Sequence, residues 1–222
     1  MQTTKPERTQ IDKLISYDIN KGKIVVDGKS YIAHSRYLHE INEGDILPRH
    51  ALSFFNKDFQ YGIKVELGIV TRRFIKDFQK EAEGLTGRER LASAVKFVKD
   101  HVSSPKTNPP VFETFGKYHD IKSLDYVLLE GDNCMGKSMA LVELFRHDDL
   151  LTKEFGKVYW VAGYMRPREA KGIEPHAWAM LKLNEWYILE PSSGQLGPYR
   201  SVSHDSDPAY YSLEPTIALS KK

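Results

Sequence analysis

The sequence predicts an α+β chain. Short apolar stretches broken by turn signals fill the first third, a helix-period pattern follows Phe74, and near-continuous apolar runs return between Val158 and Leu189. That order of strands, then helices, then strands fits helices gathered against an antiparallel sheet. With 222 residues, 41% of them hydrophobic and 11% aromatic, the chain can bury enough apolar surface to offset the entropy of ordering.

The N-terminal third reads as a β-meander. Leu14–Ile19, Ile24–Val26 and Tyr31–Ala33 are separated by Asn20-Lys21-Gly22 and Asp27-Gly28, residues that suit tight turns. Tyr61 to Val70 alternates apolar odd positions with polar or small ones, as in a half-buried strand, and the basic Arg72-Arg73 pair would be its solvated end. Thr86-Gly87-Arg88-Glu89 resembles a capping box and starts a helix with Leu91, Ala94, Val95 and Val98 on one face. We therefore expect a β-rich N-terminal module over 1–82 and the chemistry in 83–222. Pro105, Pro109 and Pro110 make the stretch after Val102 a loop. The Ser-, Pro- and Tyr-rich tail after Gly194 is expected to carry little regular structure.

Charge narrows the function classes. Thirty-two Lys and Arg against 30 Asp and Glu leave a net +2 without a long basic block, so bulk charge supports neither nucleic-acid nor membrane-surface binding. The opening MQTTKPERTQ lacks an apolar signal core and no stretch is apolar enough to span a bilayer, which gives a cytoplasmic expectation. The single cysteine, Cys134, excludes an internal disulfide and a multi-cysteine zinc site. His204-Asp205-Ser206-Asp207 has no further ligand at readable spacing, and no calcium loop is present, so no metal or other cofactor is expected.

Two readings compete for residues 125–191. In one, Tyr126–Leu129 is a strand and Gly131-Asp132-Asn133-Cys134-Met135-Gly136-Lys137-Ser138 is a phosphate-binding loop. Gly131 and Gly136 would let N–H groups curl around phosphates, Lys137 would reach the terminal phosphate and Ser138 would hold magnesium. Against it, Val158–Ala162 runs into Gly163 with no acid to organise the metal.

In the other, Cys134 opens a helix, where free N–H groups and the helix dipole favour thiolate. His176–Leu183 and Trp186–Glu190 form a hairpin stopped by Pro191. Side chains alternate along strands, so His176 and Glu190 share a face only if the loop has an odd residue count, such as Leu183 to Glu185, or if a bulge intervenes. Glu190 would then fix the imidazole and leave its other nitrogen for Cys134, giving a Cys–His–acid arrangement for acyl transfer. Taken singly each residue has a plainer role: Cys134 as a small hydrophobe, His176 and Glu190 as satisfied strand polar groups, Trp178 and Trp186 as packing.

The ordered set Cys134, Gly163-Tyr164, His176-Ala177-Trp178 and Trp186 to Glu190-Pro191 resembles the transglutaminase-like superfamily of cysteine enzymes. The resemblance covers about residues 87 to 191 and implies a papain-like core, with the cysteine helix packed on an antiparallel sheet. It implies catalysis by Cys134, His176 and Glu190, with an oxyanion held by the Cys134 N–H and a second donor. Asn133, Tyr118 and His119 are candidates for that donor, and Tyr164 and Trp178 are further oxyanion or substrate contacts. Glu190 stands where the family usually has Asp, and Met135 and Lys137 stand where small or acidic residues are usual. The expectation is hydrolysis of peptide or isopeptide amides in a protein or peptide substrate. A glutamine–amine transferase, a nucleotide-binding protein using the phosphate loop, and a non-catalytic binding module are the alternatives.

Overall fold

The computed structural model describes residues 15–18, 23–26, 29–34, 43–44, 46–48, 59–104, 118–166, 174–198 and 209–214. The expected proline loop beyond residue 104 and the candidate metal cluster at 204–207 lie outside them.

The chain is mixed α+β. Strands β1 (Ile15–Asp18), β2 (Lys23–Val26), β3 (Lys29–His34), β4 (Ile46–Pro48) and β5 (Phe59–Lys64) precede helices α1 (Ile69–Glu81) and α2 (Gly87–His101). Then come β6 (Tyr118–Ser123), α3 (Leu124–Glu130), α4 (Cys134–Arg146) and α5 (Asp149–Phe155). Strands β7 (Val158–Arg166), β8 (Glu174–Lys182), β9 (Trp186–Glu190), β10 (Gln195–Pro198) and β11 (Ala209–Glu214) complete the order.

An eight-stranded sheet runs β1-β2-β3-β11-β7-β8-β9-β10 with every neighbouring pair antiparallel. A second sheet, β4-β5-β6, pairs β5 with β6 in parallel. The strands of the N-terminal third thus share sheets with later ones: β3 joins the large sheet through β11, and β5 lies beside β6. The tail expectation is overturned, since β10 and β11 form after Gly194 and β11 sits between β3 and β7. Its alternating Ala209-Tyr210-Tyr211-Ser212-Leu213 has strand-like content that the surrounding Ser and Pro concealed.

Two further expectations change. The strand from Tyr61 stops at Lys64, and Ile69 already begins α1, so Arg72 and Arg73 lie on a helix. A distant carboxylate supplies the reason: Asp125 accepts hydrogen bonds from Val70 N (3.1 Å), Thr71 N (2.8 Å) and Thr71 Oγ1 (2.6 Å), capping α1 from another element. Burial acts to raise the Asp125 carboxyl, but these hydrogen bonds from Thr71, Val70 and Ile69 outweigh it and hold the group below its usual range. Thr86 caps α2 by position without a side-chain bond, while Gly87 N–H is taken by Glu154 of α5 at 2.9 Å.

Helix α4 is the centre of the packing. It touches α1, α2, α3, α5, β7 and β8, and every residue from Met135 to Phe145 is buried. A helix apolar along one stripe needs only one neighbour, whereas one buried all round must be enclosed. Ala177, Ala179, Leu181 and Leu189 pack with α4 in the larger apolar cluster. Val161, Trp178, Met180 and Ile188 form a smaller cluster, and strand alternation sets them on the other face of the sheet.

Candidate functional site

The start of α4 is built by three local devices. Gly131 closes α3 with φ 84°, and a Cβ there would lie 2.6 Å from Ser103 O, so the backbone can pass only as glycine. Asn133 caps α4 by accepting Met135 N–H at 3.1 Å. A Cβ on Gly136 would meet the Asp132 Cβ at 2.4 Å and Val127 at 2.6 Å, so this glycine lets α3 and the buried Asp132 press against the first turn of α4.

Those contacts account for the residues of the phosphate-loop reading without a phosphate. Tyr126–Leu129 belong to α3 and are no strand, because Ser123 caps that segment through Tyr126 N–H at 3.2 Å. Gly136, Lys137 and Ser138 lie within α4, after its first residue Cys134. The fully buried Ser138 hydroxyl donates to Met135 O (2.9 Å) and accepts from Trp160 Nε1 (2.9 Å). The strand–loop–helix context on which the nucleotide reading rested is absent.

The hairpin brings the other two residues together. Lys182 pairs with Trp186 across Leu183 to Glu185, an odd-length connection, and Ala179 pairs with Leu189. Continuing that register sets Glu190 across from Trp178 and diagonal to His176, and all three share a face by alternation. His176 Nε2 donates to Glu190 Oε2 at 2.5 Å, and Ser192 N–H donates to Glu190 Oε1 at 3.0 Å. Both carboxylate oxygens are thereby fixed, and the longer Glu side chain is accommodated by the turn after Pro191. Ser192 was not singled out in the sequence, although a carboxylate two residues before an N–H beyond a proline is a readable turn signal.

Cys134, the first residue of α4, lies near the same imidazole at the start of β8, close enough for its thiol to help raise the His176 pKa. With Nε2 engaged by Glu190, Nδ1 is the nitrogen left for the thiol. Burial drives the His176 proton off, but the protonated ring's interactions with the Cys134 thiol and the Glu190 carboxylate prevail, raising its pKa from 6.5 to about 10. The imidazole is a cation at neutral pH. His176 and Glu190 are 7% and 4% exposed, whereas Cys134 is only half-buried. The charge pair is therefore buried beside a cysteine that is only partly so.

The remaining candidates take different places. Trp178 is buried beside His176, the two rings nearly parallel at 19° with centroids 6.1 Å apart, so it backs the imidazole. Asn133 is exposed next to Cys134, its carbonyl oxygen committed to the cap and its amide N–H groups still available as donors. Backbone pairing sets Tyr118 and His119 in β6 opposite Phe59 and Gln60, and Tyr164 in β7 opposite Pro175. Among the described residues no group of three or more His, Cys, Asp or Glu is arranged to hold a metal ion, and no helix is long and apolar enough to cross a membrane. Comparison with protein-family models, with curated proteins and with solved structures finds no match to this chain.

Proposed function

We propose that this protein is a cysteine-dependent acyl-transfer enzyme that hydrolyses peptide or isopeptide amides, built on a transglutaminase-like, papain-like core. The observation that carries the reading is one imidazole hydrogen-bonded to a buried carboxylate, with a half-buried thiol close enough to help hold its proton. A histidine that serves only the fold has no need of a sulfur partner open to solvent.

In the proposed cycle the Cys134 thiolate attacks the amide carbonyl, forming a C–S bond and an oxyanion. The first-turn N–H of Cys134 and the Asn133 amide, at the start of α4, would receive it. Collapse of the intermediate breaks the C–N bond, and His176 gives its proton to the departing amine. Neutral His176 then takes a proton from water as the oxygen attacks the thioester. Collapse of this second intermediate breaks the C–S bond, the carboxylic acid leaves and gives its proton to solvent, and the thiolate–imidazolium pair is restored. Glu190 holds the ring and balances its charge throughout.

Because Cys134 is the only thiol, iodoacetamide reads this pair without a known substrate. Wild-type protein is expected to alkylate readily at pH 6, and His176→Ala at least about tenfold more slowly, since the imidazolium that sustains a thiolate there is gone. Equal rates at pH 6 in the two proteins would sink the acyl-transfer reading.

A further inference from the structure

Lys137 is out of place for a surface lysine. It is 9% exposed, within the first turns of α4, and none of the described side chains or carbonyls forms a hydrogen bond or ion pair with it. Its ammonium is not one of the enclosed polar atoms without a partner, as expected of a buried stem whose charged end keeps contact with water. Two buried carboxylates at this end of α4, Asp132 and Glu190, have other partners. Asp132 accepts Asn133 N–H at 2.7 Å and lies against Gly136, and Glu190 is held by His176 and Ser192.

Its direction follows from the helix. Side chains on a helix lean toward its N-terminus, and positions three and four residues apart lie on one face, roughly 5–6 Å apart at Cβ. On the C-terminal side that face continues into Ala140 and Leu141, both buried, whereas on the N-terminal side it meets half-buried Cys134 and exposed Asn133. Helix geometry therefore directs the ammonium toward the surface on the side of the thiol, at the helix end where free N–H groups already favour an anion.

We infer that Lys137 and the first turn of α4 form a carboxylate subsite beside Cys134, so that the amide cleaved here carries a free carboxylate next to the scissile bond. This rests on the acyl-transfer reading above and names its substrate class. The carboxylate has two sources, the C-terminus of a peptide or an Asp or Glu side chain, and both present the same group to Lys137.

The test compares alkylation of the intact chain by iodoacetate and iodoacetamide at pH 7. An anion subsite raises the ratio of the two rates, and that ratio is expected to fall about tenfold in Lys137→Met and to recover in Lys137→Arg. An unchanged ratio in folded Lys137→Met overturns the subsite. Wild-type protein gives a second measurement that needs no variant. N-acetylalanine, carrying only a terminal carboxylate, and N-acetylglutamic acid α-amide, carrying only a side-chain one, are each added at millimolar concentration against iodoacetamide. Protection by either, with none from neutral N-acetylalaninamide, supports the subsite and identifies the source. Protection by inorganic phosphate alone, or by nothing, overturns it. The acyl-transfer reading fails separately: its signature is loss of pH 6 iodoacetamide labelling in His176→Ala, which does not involve the anionic probe.

Discussion

At the start of α5, Asp148 meets Arg90; at the start of α4, Cys134 meets His176, which Glu190 holds from behind. Both are buried charge clusters at helix N-termini, and they are finished differently. Arg90 Nε and Nη2 donate to the two oxygens of Asp148 at 2.9 and 2.5 Å, and Nη1 donates to Ala82 O at 2.6 Å. Asp148 also caps α5 through Leu151 N–H at 3.0 Å, and the guanidinium lies over Phe78. The pair is shut away, with side chains 6% and 1% exposed. Arginine keeps its charge at any pH a protein survives, so this cluster has one state. The other cluster has a titrating ring in the arginine's position and a cysteine that is only half-buried. A closed, permanently charged pair holds helices together; an open, titratable one can exchange protons and bonds with a visitor.

The sharpest way to break that contrast is His176→Ala. Loss of general acid–base action is expected to cut amide turnover by about 10²- to 10⁴-fold while the chain stays folded, measured with a peptide amide and by circular dichroism. If turnover survives, the open cluster is only structural. Arg90→Met should do the reverse, costing about 3–5 kcal/mol in urea unfolding because Asp148 is left buried and unpaired. Per folded molecule, its Cys134 alkylation rate should stay within about twofold of wild type, as expected for a cluster outside the site.

A pH series separates the clusters more finely. The His176 pKa rises from 6.5 to about 10 on folding, so its contribution to stability is complete below pH 6.5. Between these values the folded state holds a proton that the unfolded state has lost. The contribution therefore declines as pH rises from 6.5 and is gone above about 10. Urea midpoints at pH 6, 8 and 10 should show wild type losing its advantage over His176→Gln across that range, and parallel profiles would contradict the assignment. The smallest effect belongs to Asp125→Asn, expected to cost about 1 kcal/mol through the weakened cap on α1. Asp125 is depressed on folding, so its contribution is present above pH 3.8 and lost as pH falls through the folded value. Wild type and variant should converge in acid unfolding.

What could be read from the sequence was local. The His176–Glu190 hairpin depended on one loop length and on alternation, and the start of α4 on a capping residue before an apolar run. Elements decided by distant partners were illegible. Asp125 lies 55 residues from Val70, whose N–H it caps, and without it Tyr61–Val70 reads as one strand. Arg90 and Asp148 are 58 residues apart and look like two solvated charges. Tyr126–Leu129 is apolar enough for a strand, and only the Ser123 cap and packing against α1 and α4 make it helical. Lys137 follows the same rule, since an enclosed helix cannot be told from an amphipathic one by period alone.

The insertion of β11 between β3 and β7 bears on how the chain is made. His34 pairs with Ser212, and Gly163 pairs with the same serine on the other side. On a ribosome β1, β2 and β3 emerge well before β11, yet their place in the large sheet opens only after residues 209–214 have been synthesised. The helices and the β7–β10 meander, which carry Cys134, His176 and Glu190, have their partners earlier. Cys134, His176 and Glu190 can therefore be brought together before β1, β2 and β3 join the large sheet through β11.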